Sequence, residues 1–163
     1  MQNAGVDDSR DNPGVIAFPP LIWAVSMAAS LIVHFFVARV PMSILQRTAS
    51  LGIGIALLMI APALAISAAV TFKRAGTNVD PAKPALTIAR GGPYRFTRNP
   101  MYLALTLLQI AAAFLLNDAV PLLFAAALAT ILHFGVILRE ERYLTAKFGE
   151  PYLELKRTVR RWL

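Results

Sequence analysis

Four long stretches of almost uninterrupted apolar sequence set the strongest limit on how this chain can fold. They cover residues 18–38, 49–72, 100–116 and 119–138. A helix needs about 20 residues, each rising about 1.5 Å, to cross the hydrocarbon core of a bilayer. The apolar share of 57% exceeds the usual globular share of about 45–50%. The sequence therefore predicts an all-α integral membrane protein with about four transmembrane helices.

The first apolar stretch is predicted to be a retained helix rather than a secretory signal. Asp7, Asp8 and Asp11 precede it against a single Arg10, whereas a signal peptide begins with a positively charged region. No small-x-small cleavage site follows the stretch. Residues 1–17 contain glycine and proline and lack a periodic apolar pattern, which predicts a flexible polar leader.

Lysines and arginines cluster after the second and the fourth apolar stretch, in residues 73–98 and 139–161. The positive-inside rule places both segments in the cytoplasm, so the four spans of a multi-pass membrane protein put the N- and C-termini there. Arg39 and Arg47 lie on the opposite side in this topology, against the rule. The net charge of +7 lies at helix ends and not in a basic domain, so the expected partners are membrane lipids and not nucleic acid.

Two adjacent carboxylates, Glu140 and Glu141, follow the fourth stretch. A helix C-terminus carries partial negative charge and favours cations, so both are unfavourably placed there. One interpretation is a solvated cluster neutralised by Arg139 and Arg142. The other is a site in which one carboxylate binds a cationic or hydroxyl-bearing ligand. Beyond them, helical apolar spacing among basic residues predicts amphipathic C-terminal helices on the cytoplasmic surface, with Trp162 as an interfacial anchor.

The segment 91-GGPYRFTRNPMY-102 concentrates polar and conformationally special residues before the third apolar stretch. Pro100 suits the first turn of a helix and Asn99 suits its N-cap, while Arg95 and Arg98 suit the membrane interface. Alternatively, the helix N-terminus and the nearby guanidinium groups bind an anion or carboxylate, which the two glycines would let the backbone approach closely. Both interpretations stay open on the residues alone.

No metal site is predicted. The chain has no cysteine, so thiolate ligands are excluded. His34 and His133 lie inside apolar stretches without a second ligand nearby, which favours buried, hydrogen-bonded histidines. The sequence contains no GxSxG, HExxH, P-loop or soluble dinucleotide-binding pattern.

In combination, GPYRFTRNPMY, the following pair of apolar stretches and REERYLTAKFGEPYLELKRTVRRW resemble the isoprenylcysteine carboxyl methyltransferase family and its bacterial relatives, which include phospholipid methyltransferases. The likeness covers about residues 84–163. It implies an integral membrane enzyme that uses S-adenosylmethionine and methylates a lipophilic or prenylated acceptor, such as the carboxylate of an isoprenylcysteine. Two N-terminal transmembrane helices in residues 18–72 would then precede a catalytic region in residues 73–163.

The resemblance also implies a cofactor site on the cytoplasmic side, residue by residue. Arg98, Arg139 and Glu140 take the catalytic positions, with Arg98 structural or near the charged end of the cofactor. The residues implied to contact the cofactor are Leu86, Thr87, Ile88, Ala89, Tyr94, Asn99, Pro100, Met101, Tyr102 and Glu140.

Two positions depart from the family pattern. Asn99 stands where the member that methylates prenylcysteine has histidine, and an amide can donate a hydrogen bond but cannot titrate. Val136 stands where that member has an arginine for the acceptor carboxylate; Arg139 is the nearest replacement, on a different helix face. The acceptor atom and the oligomeric state stay undecided. The alternatives are an NADPH-dependent membrane reductase of the sterol-reductase type and a non-catalytic, lipid-binding membrane protein.

Overall fold

The computed structural model describes residues 11–43 and 45–163, so residues 1–10 of the predicted leader lie outside it. The described chain is helical, which confirms the all-α prediction. The described residues form six α-helices, two short π-helical segments and one 3-10 turn. The helices are α1 (Pro19–Ile32), α2 (Arg47–Arg74), α3 (Pro100–Leu116), α4 (Val120–Leu132), α5 (Leu138–Phe148) and α6 (Glu150–Thr158), with π segments Val33–Val37 and His133–Ile137 and the 3-10 turn Gly92–Arg95.

Three continuous helices are long and apolar enough to cross a membrane: Pro19–Val37, Arg47–Arg74 and Val120–Phe148. The third predicted span, Pro100–Leu116, has 17 residues, which rise about 26 Å against a hydrocarbon thickness of about 30 Å. Three of the predicted spans therefore reach the full length, and α3 is a shorter apolar helix. α3 pairs with α4 as a hairpin, α2 packs along α3, and α1 lies against the hairpin.

Small residues let α2 approach α3 closely. A Cβ on Gly54 would lie 2.8 Å from the side chain of Leu115 and 2.9 Å from its backbone nitrogen. Further along α2, Ala68 is fully buried. Ser50 Oγ donates a hydrogen bond to the Phe114 carbonyl at 2.8 Å. In lipid, close packing and hydrogen bonds of this kind supply the helix association that hydrophobicity cannot.

Gly54→Ala is expected to destabilise the folded protein by about 1–3 kcal/mol, because the added methyl group overlaps backbone as well as side chain. Gly52→Ala is the matched control, since a Cβ there meets nothing within 4 Å and alanine favours the helix by about 1 kcal/mol over glycine. Thermal unfolding in detergent micelles measures the difference. Equal melting temperatures for the two variants would contradict the close α2–α3 contact.

α1 is attached to the hairpin by buried polar groups. Gln109 Nε2 donates to Ser30 Oγ at 2.9 Å, and both side chains are fully buried. At the end of α1, His34 Nδ1 and Asp118 Oδ2 lie 2.5 Å apart. Asp118 also accepts a hydrogen bond from the backbone N–H of Val40 at 3.1 Å. The prediction of a buried, hydrogen-bonded histidine is therefore confirmed for His34, and these contacts fix α1 to α3 and to the α3–α4 turn.

Candidate active site

A cavity lies where α2 ends and α3 begins, at the opposite end of the bundle from the His34–Asp118 pair. Its wall is formed by the loop after α2, the 3-10 turn, the first turn of α3, and faces of α5 and α6. The wall is mostly apolar with a few convergent polar groups, which is the usual composition of a small-molecule site. Its polar side chains include Lys83, Thr87, Tyr94, Arg98, Asn99, Tyr102, Glu140, Glu141, Tyr143 and Tyr152.

Most residues implied to contact a cofactor lie in this wall, although they come from three separate parts of the sequence. Leu86 and Pro100 do not line the cavity; Leu86 is 62% exposed, whereas Pro100, the first residue of α3, is buried. Arg139 also lies outside the wall: its guanidinium is exposed and donates from Nη1 to the Gly14 carbonyl at 3.0 Å. The implied residues found in the wall are Thr87, Ile88, Ala89, Tyr94, Arg98, Asn99, Met101, Tyr102 and Glu140.

Glu140 presents its carboxylate to the cavity. The hydroxyl of Tyr102, in the first turn of α3, donates to Glu140 Oε1 at 2.5 Å. This is the one hydrogen bond that the Glu140 side chain makes within the described part of the chain. A carboxylate can accept several hydrogen bonds, so the second oxygen of Glu140 is available to a ligand with N–H or O–H donors.

Two neutral phenols complete the polar wall. Burial, with a further contribution from the charge of Glu140, raises the pKa of the Tyr94 hydroxyl well above its usual range. Burial likewise raises the pKa of Tyr152. Tyr94 also packs edge-on against Phe72 of α2, with ring centroids 5.1 Å apart. Both hydroxyls therefore stay protonated and can orient a ligand by hydrogen bonding.

Glu141 belongs to a different environment, a buried ion cluster. Arg161 donates to both of its oxygens, from Nε to Oε1 at 2.8 Å and from Nη2 to Oε2 at 2.9 Å. Arg98 Nη2 donates to Oε1 at 2.8 Å. The side chains of Glu141 and Arg98 are only 5% and 7% exposed, so each buried charge is stabilised by the opposite charge of its partner. Of the two adjacent glutamates, Glu140 fits the ligand-binding interpretation, and Glu141 holds the fold together.

The motif before α3 is also tied to the last residues of the chain by what we name the C-terminal clamp, residues 97–99 paired with residues 160–161. The backbone N–H of Arg98 donates to the Arg160 carbonyl at 2.9 Å. Thr97 Oγ1 and Asn99 Nδ2 both donate to the Arg161 carbonyl, at 3.1 and 2.9 Å. The side chain of Asn99 therefore does not cap α3 as the sequence suggested, because its amide is used by the clamp.

The N-terminus of α3 opens onto the cavity. Pro100 has no N–H, and the first hydrogen bond of the helix runs from the N–H of Leu103 to the Asn99 carbonyl at 3.0 Å. The N–H groups of Met101 and Tyr102 precede this bond, and both residues line the cavity. Free N–H groups at the positive end of a helix dipole are suited to an anion.

The two glycines of the motif shape a turn and do not approach the cavity. Gly91 and Gly92 have φ angles of +110° and +49°, which side chains rarely adopt. A Cβ on Gly92 would also lie 2.6 Å from Thr71 Oγ1. Gly92 lets the 3-10 turn pack against α2, whereas a Cβ on Gly91 would meet nothing within 4 Å, and neither glycine lines the cavity.

Trp162 also differs from the expected interfacial anchor. Its indole Nε1 donates to His133 Nδ1 at 3.3 Å, and its ring packs against the cluster that contains Val136. Val136 itself is fully buried. Tyr102 and Trp162 thus pack around Val136, the position at which the prenylcysteine-methylating member of the family has an arginine. Val136 brings no cation to the cavity.

Sequence reasoning missed several residues of the wall. Tyr143 and Leu144 follow Glu140 by three and four positions, so helical spacing alone would have placed them on the same face. Tyr152 lies on α6, whose position depends on the C-terminal clamp. Pro13, in the predicted leader, also lines the cavity, and no pattern in the sequence signals it.

Comparison with known proteins identifies the family of this chain. A family model described as phospholipid methyltransferase matches residues 49–151, from the first turn of α2 to the start of α6 and more than half of the chain. A region of 63 residues, 39% of this chain, is 38% identical to an uncharacterized protein of Haemophilus influenzae (strain ATCC 51907 / DSM 11121 / KW20 / Rd) and covers all of that protein. With its apolar helices, the chain is therefore a multi-pass membrane protein that belongs to the phospholipid methyltransferase family.

Proposed function

We propose that this membrane methyltransferase binds S-adenosylmethionine in the cavity and methylates a lipophilic acceptor. The observation that carries the proposal is that Glu140 lines the same cavity as Met101 and Tyr102, whose N–H groups precede the first hydrogen bond of α3. When bound, S-adenosylmethionine supplies an electrophilic methyl group on a sulfonium centre. The α3 N-terminus suits its carboxylate, and Glu140 suits its amino or ribose hydroxyl donors.

The chain's own residues would contribute mainly by positioning and by excluding water. Tyr102 holds the Glu140 carboxylate in one orientation through their hydrogen bond. Phe72, Tyr94 and Leu144 give the wall an apolar surface. Displacement at a sulfonium carbon neutralises charge as it proceeds, so it gains most from alignment in a dry site. A strongly basic side chain is not required for a carboxylate acceptor.

The cavity is proposed to face the cytoplasm of a bacterial cell. The cation-rich segments 73–98 and 139–161 both lie at the cavity end of the bundle, in accordance with the positive-inside rule. The proposed catalytic region, residues 73–163, also needs Pro13 and Phe72, because both line the cavity from outside that range.

The acceptor is proposed to enter from the bilayer, and the isoprenylcysteine type is one such molecule. Its carboxylate would need a cation, and Arg98 is already paired with Glu141. Lys83 lines the cavity with an exposed side chain and has no ion pair within the described residues. We therefore propose Lys83, in place of Arg139, as the group that would meet an acceptor carboxylate.

Calorimetric titration of the detergent-purified protein with S-adenosylhomocysteine, and separately with NADPH, tests the cofactor. Saturable binding of S-adenosylhomocysteine at micromolar concentration and none of NADPH is expected. The reverse result would favour the reductase alternative and overturn the proposal. Transfer of label from methyl-labelled S-adenosylmethionine to small prenylated cysteines or to phospholipid vesicles then distinguishes the acceptor classes.

A further inference from the structure

A segment in front of α1, residues 11–16, lies across one side of the cavity. We name it the N-terminal strap. Pro13 is part of the cavity wall, and the carbonyl of the next residue, Gly14, accepts the hydrogen bond from Arg139. The strap therefore meets α5 at Arg139, the residue that precedes Glu140.

The strap is fixed at its start by a polar cluster around Asp11. Lys147 Nζ donates to the two carboxylate oxygens of Asp11 at 2.6 and 2.7 Å. The hydroxyl of Tyr143 donates to Asp11 Oδ1 at 2.8 Å and accepts a hydrogen bond from the N–H of Ala85 at 3.1 Å. Tyr143 thereby joins the strap to the loop that forms the opposite part of the wall.

The strap is fixed at its end by apolar packing against α4 and the π segment after it. Ile16 lies over Gly135, where a Cβ would come within 2.4 Å of Ile16 Cδ1. The N–H of Ile16 donates to the Gly135 carbonyl at 3.3 Å. Val15 packs against the buried cluster of Leu128 and Val136. The strap thus has two separate attachments, with Pro13 between them.

We propose that the N-terminal strap is a wall of the cofactor site, and that Asp11, Tyr143 and Arg139 are positioning residues that hold it closed. This inference rests on the proposed function. A ligand in contact with Pro13 leaves past the strap once the Asp11 contacts break, so these contacts set the rate of cofactor exchange. Arg139 then acts on the site through the Gly14 carbonyl and has no contact with the acceptor.

Charge reversal at the start of the strap tests this role. Asp11→Lys replaces an attraction to Lys147 by a repulsion, and S-adenosylhomocysteine should dissociate about fivefold faster, a modest factor because solvent screens exposed ion pairs. The double variant Asp11→Lys with Lys147→Asp restores the pair in reverse and should restore slow dissociation. Stopped-flow displacement of labelled S-adenosylhomocysteine from the full-length protein gives both rates.

Glu150→Lys is the matched control. It reverses one charge of the exposed Glu150–Arg157 pair, which has the same 2.6 Å separation and does not touch the cavity. Dissociation from Glu150→Lys should equal that of the wild type. If the wild type binds S-adenosylhomocysteine but Asp11→Lys releases it at the wild-type rate, the strap inference is overturned. If the wild type binds none, the proposed function itself fails.

A labelling experiment tests the position of Pro13 without relying on rates. The natural chain has no cysteine, so Pro13→Cys carries a single thiol. Saturating S-adenosylhomocysteine should slow its reaction with a maleimide several-fold. Phe18 lies just beyond the strap and is half exposed, so Phe18→Cys should react at the same rate with and without the ligand. Equal labelling of Pro13→Cys in both conditions would remove Pro13 from the site.

Discussion

Glu141→Ala is expected to destabilise the folded protein by about 3 kcal/mol. The substitution leaves Arg98, whose side chain is 7% exposed, without its counter-ion in a buried position. Removing one partner of a buried pair typically costs about 3–5 kcal/mol. The lower end of this range is expected for Glu141→Ala, because the side chain of Arg161 keeps a third of its surface exposed to solvent. Thermal unfolding in detergent, followed by tryptophan fluorescence, measures the loss.

Glu150→Ala provides the comparison for Glu141→Ala. Glu150 also forms a short ion pair, at 2.6 Å from Arg157, but both side chains are about two-thirds exposed. Surface pairs contribute only about 0–1 kcal/mol, so this variant should unfold close to the wild-type temperature. If Glu141→Ala and Glu150→Ala unfold at the same temperature, the buried cluster does not stabilise the fold.

Glu140→Ala is expected to weaken the binding of S-adenosylhomocysteine about 10- to 100-fold while changing the unfolding temperature little. A hydrogen bond to a charged group contributes about 1.5–3 kcal/mol, and each 1.4 kcal/mol corresponds to a factor of ten in affinity. The fold loses less, because Tyr102 alone hydrogen-bonds the Glu140 side chain within the described residues. Isothermal titration calorimetry gives the affinity, and the unfolding experiment gives the stability.

Tyr102→Phe refines the interpretation of Glu140→Ala. It removes the hydroxyl that orients Glu140 and leaves the carboxylate and the ring packing in place, so the affinity should fall by a smaller factor than in Glu140→Ala. Wild-type affinity in Glu140→Ala would show that this carboxylate is not part of the cofactor site. A collapse of stability in Glu140→Ala would instead assign it to the fold, like Glu141.

The helices and the approximate site could be predicted because their signals are local. Uninterrupted apolar sequence predicts spans without any knowledge of packing. The family motifs predicted that the start of α3 and residue 140 meet in one site, and the hydrogen bond from Tyr102 to Glu140 places them together. The multi-pass character of the chain follows from the same signals.

The rest of the site could not be predicted, because it depends on contacts between distant parts of the sequence. Neighbouring residues on a helix point about 100° apart, so Glu140 and Glu141 had to face different surroundings. Arg161, twenty positions further along, pairs with Glu141 and leaves Glu140 as the carboxylate available to a ligand. The side-chain amide of Asn99 likewise hydrogen-bonds a carbonyl 62 positions away and does not cap its own helix. Pro13 is held at the wall by the contacts of Asp11 and Ile16. The sequence around these two residues resembles that of any polar leader.

The C-terminal clamp has a consequence for how the molecule is made. Residues 97–99 lie at the membrane surface before α3. The carbonyl group to which Thr97 and Asn99 donate is synthesised about sixty residues later. The hairpin of α3 and α4 can insert in the bilayer while the ribosome still holds the tail. Tyr152 of α6 lines the cavity, so the cavity wall is complete only after the segment that follows the hairpin has also been synthesised.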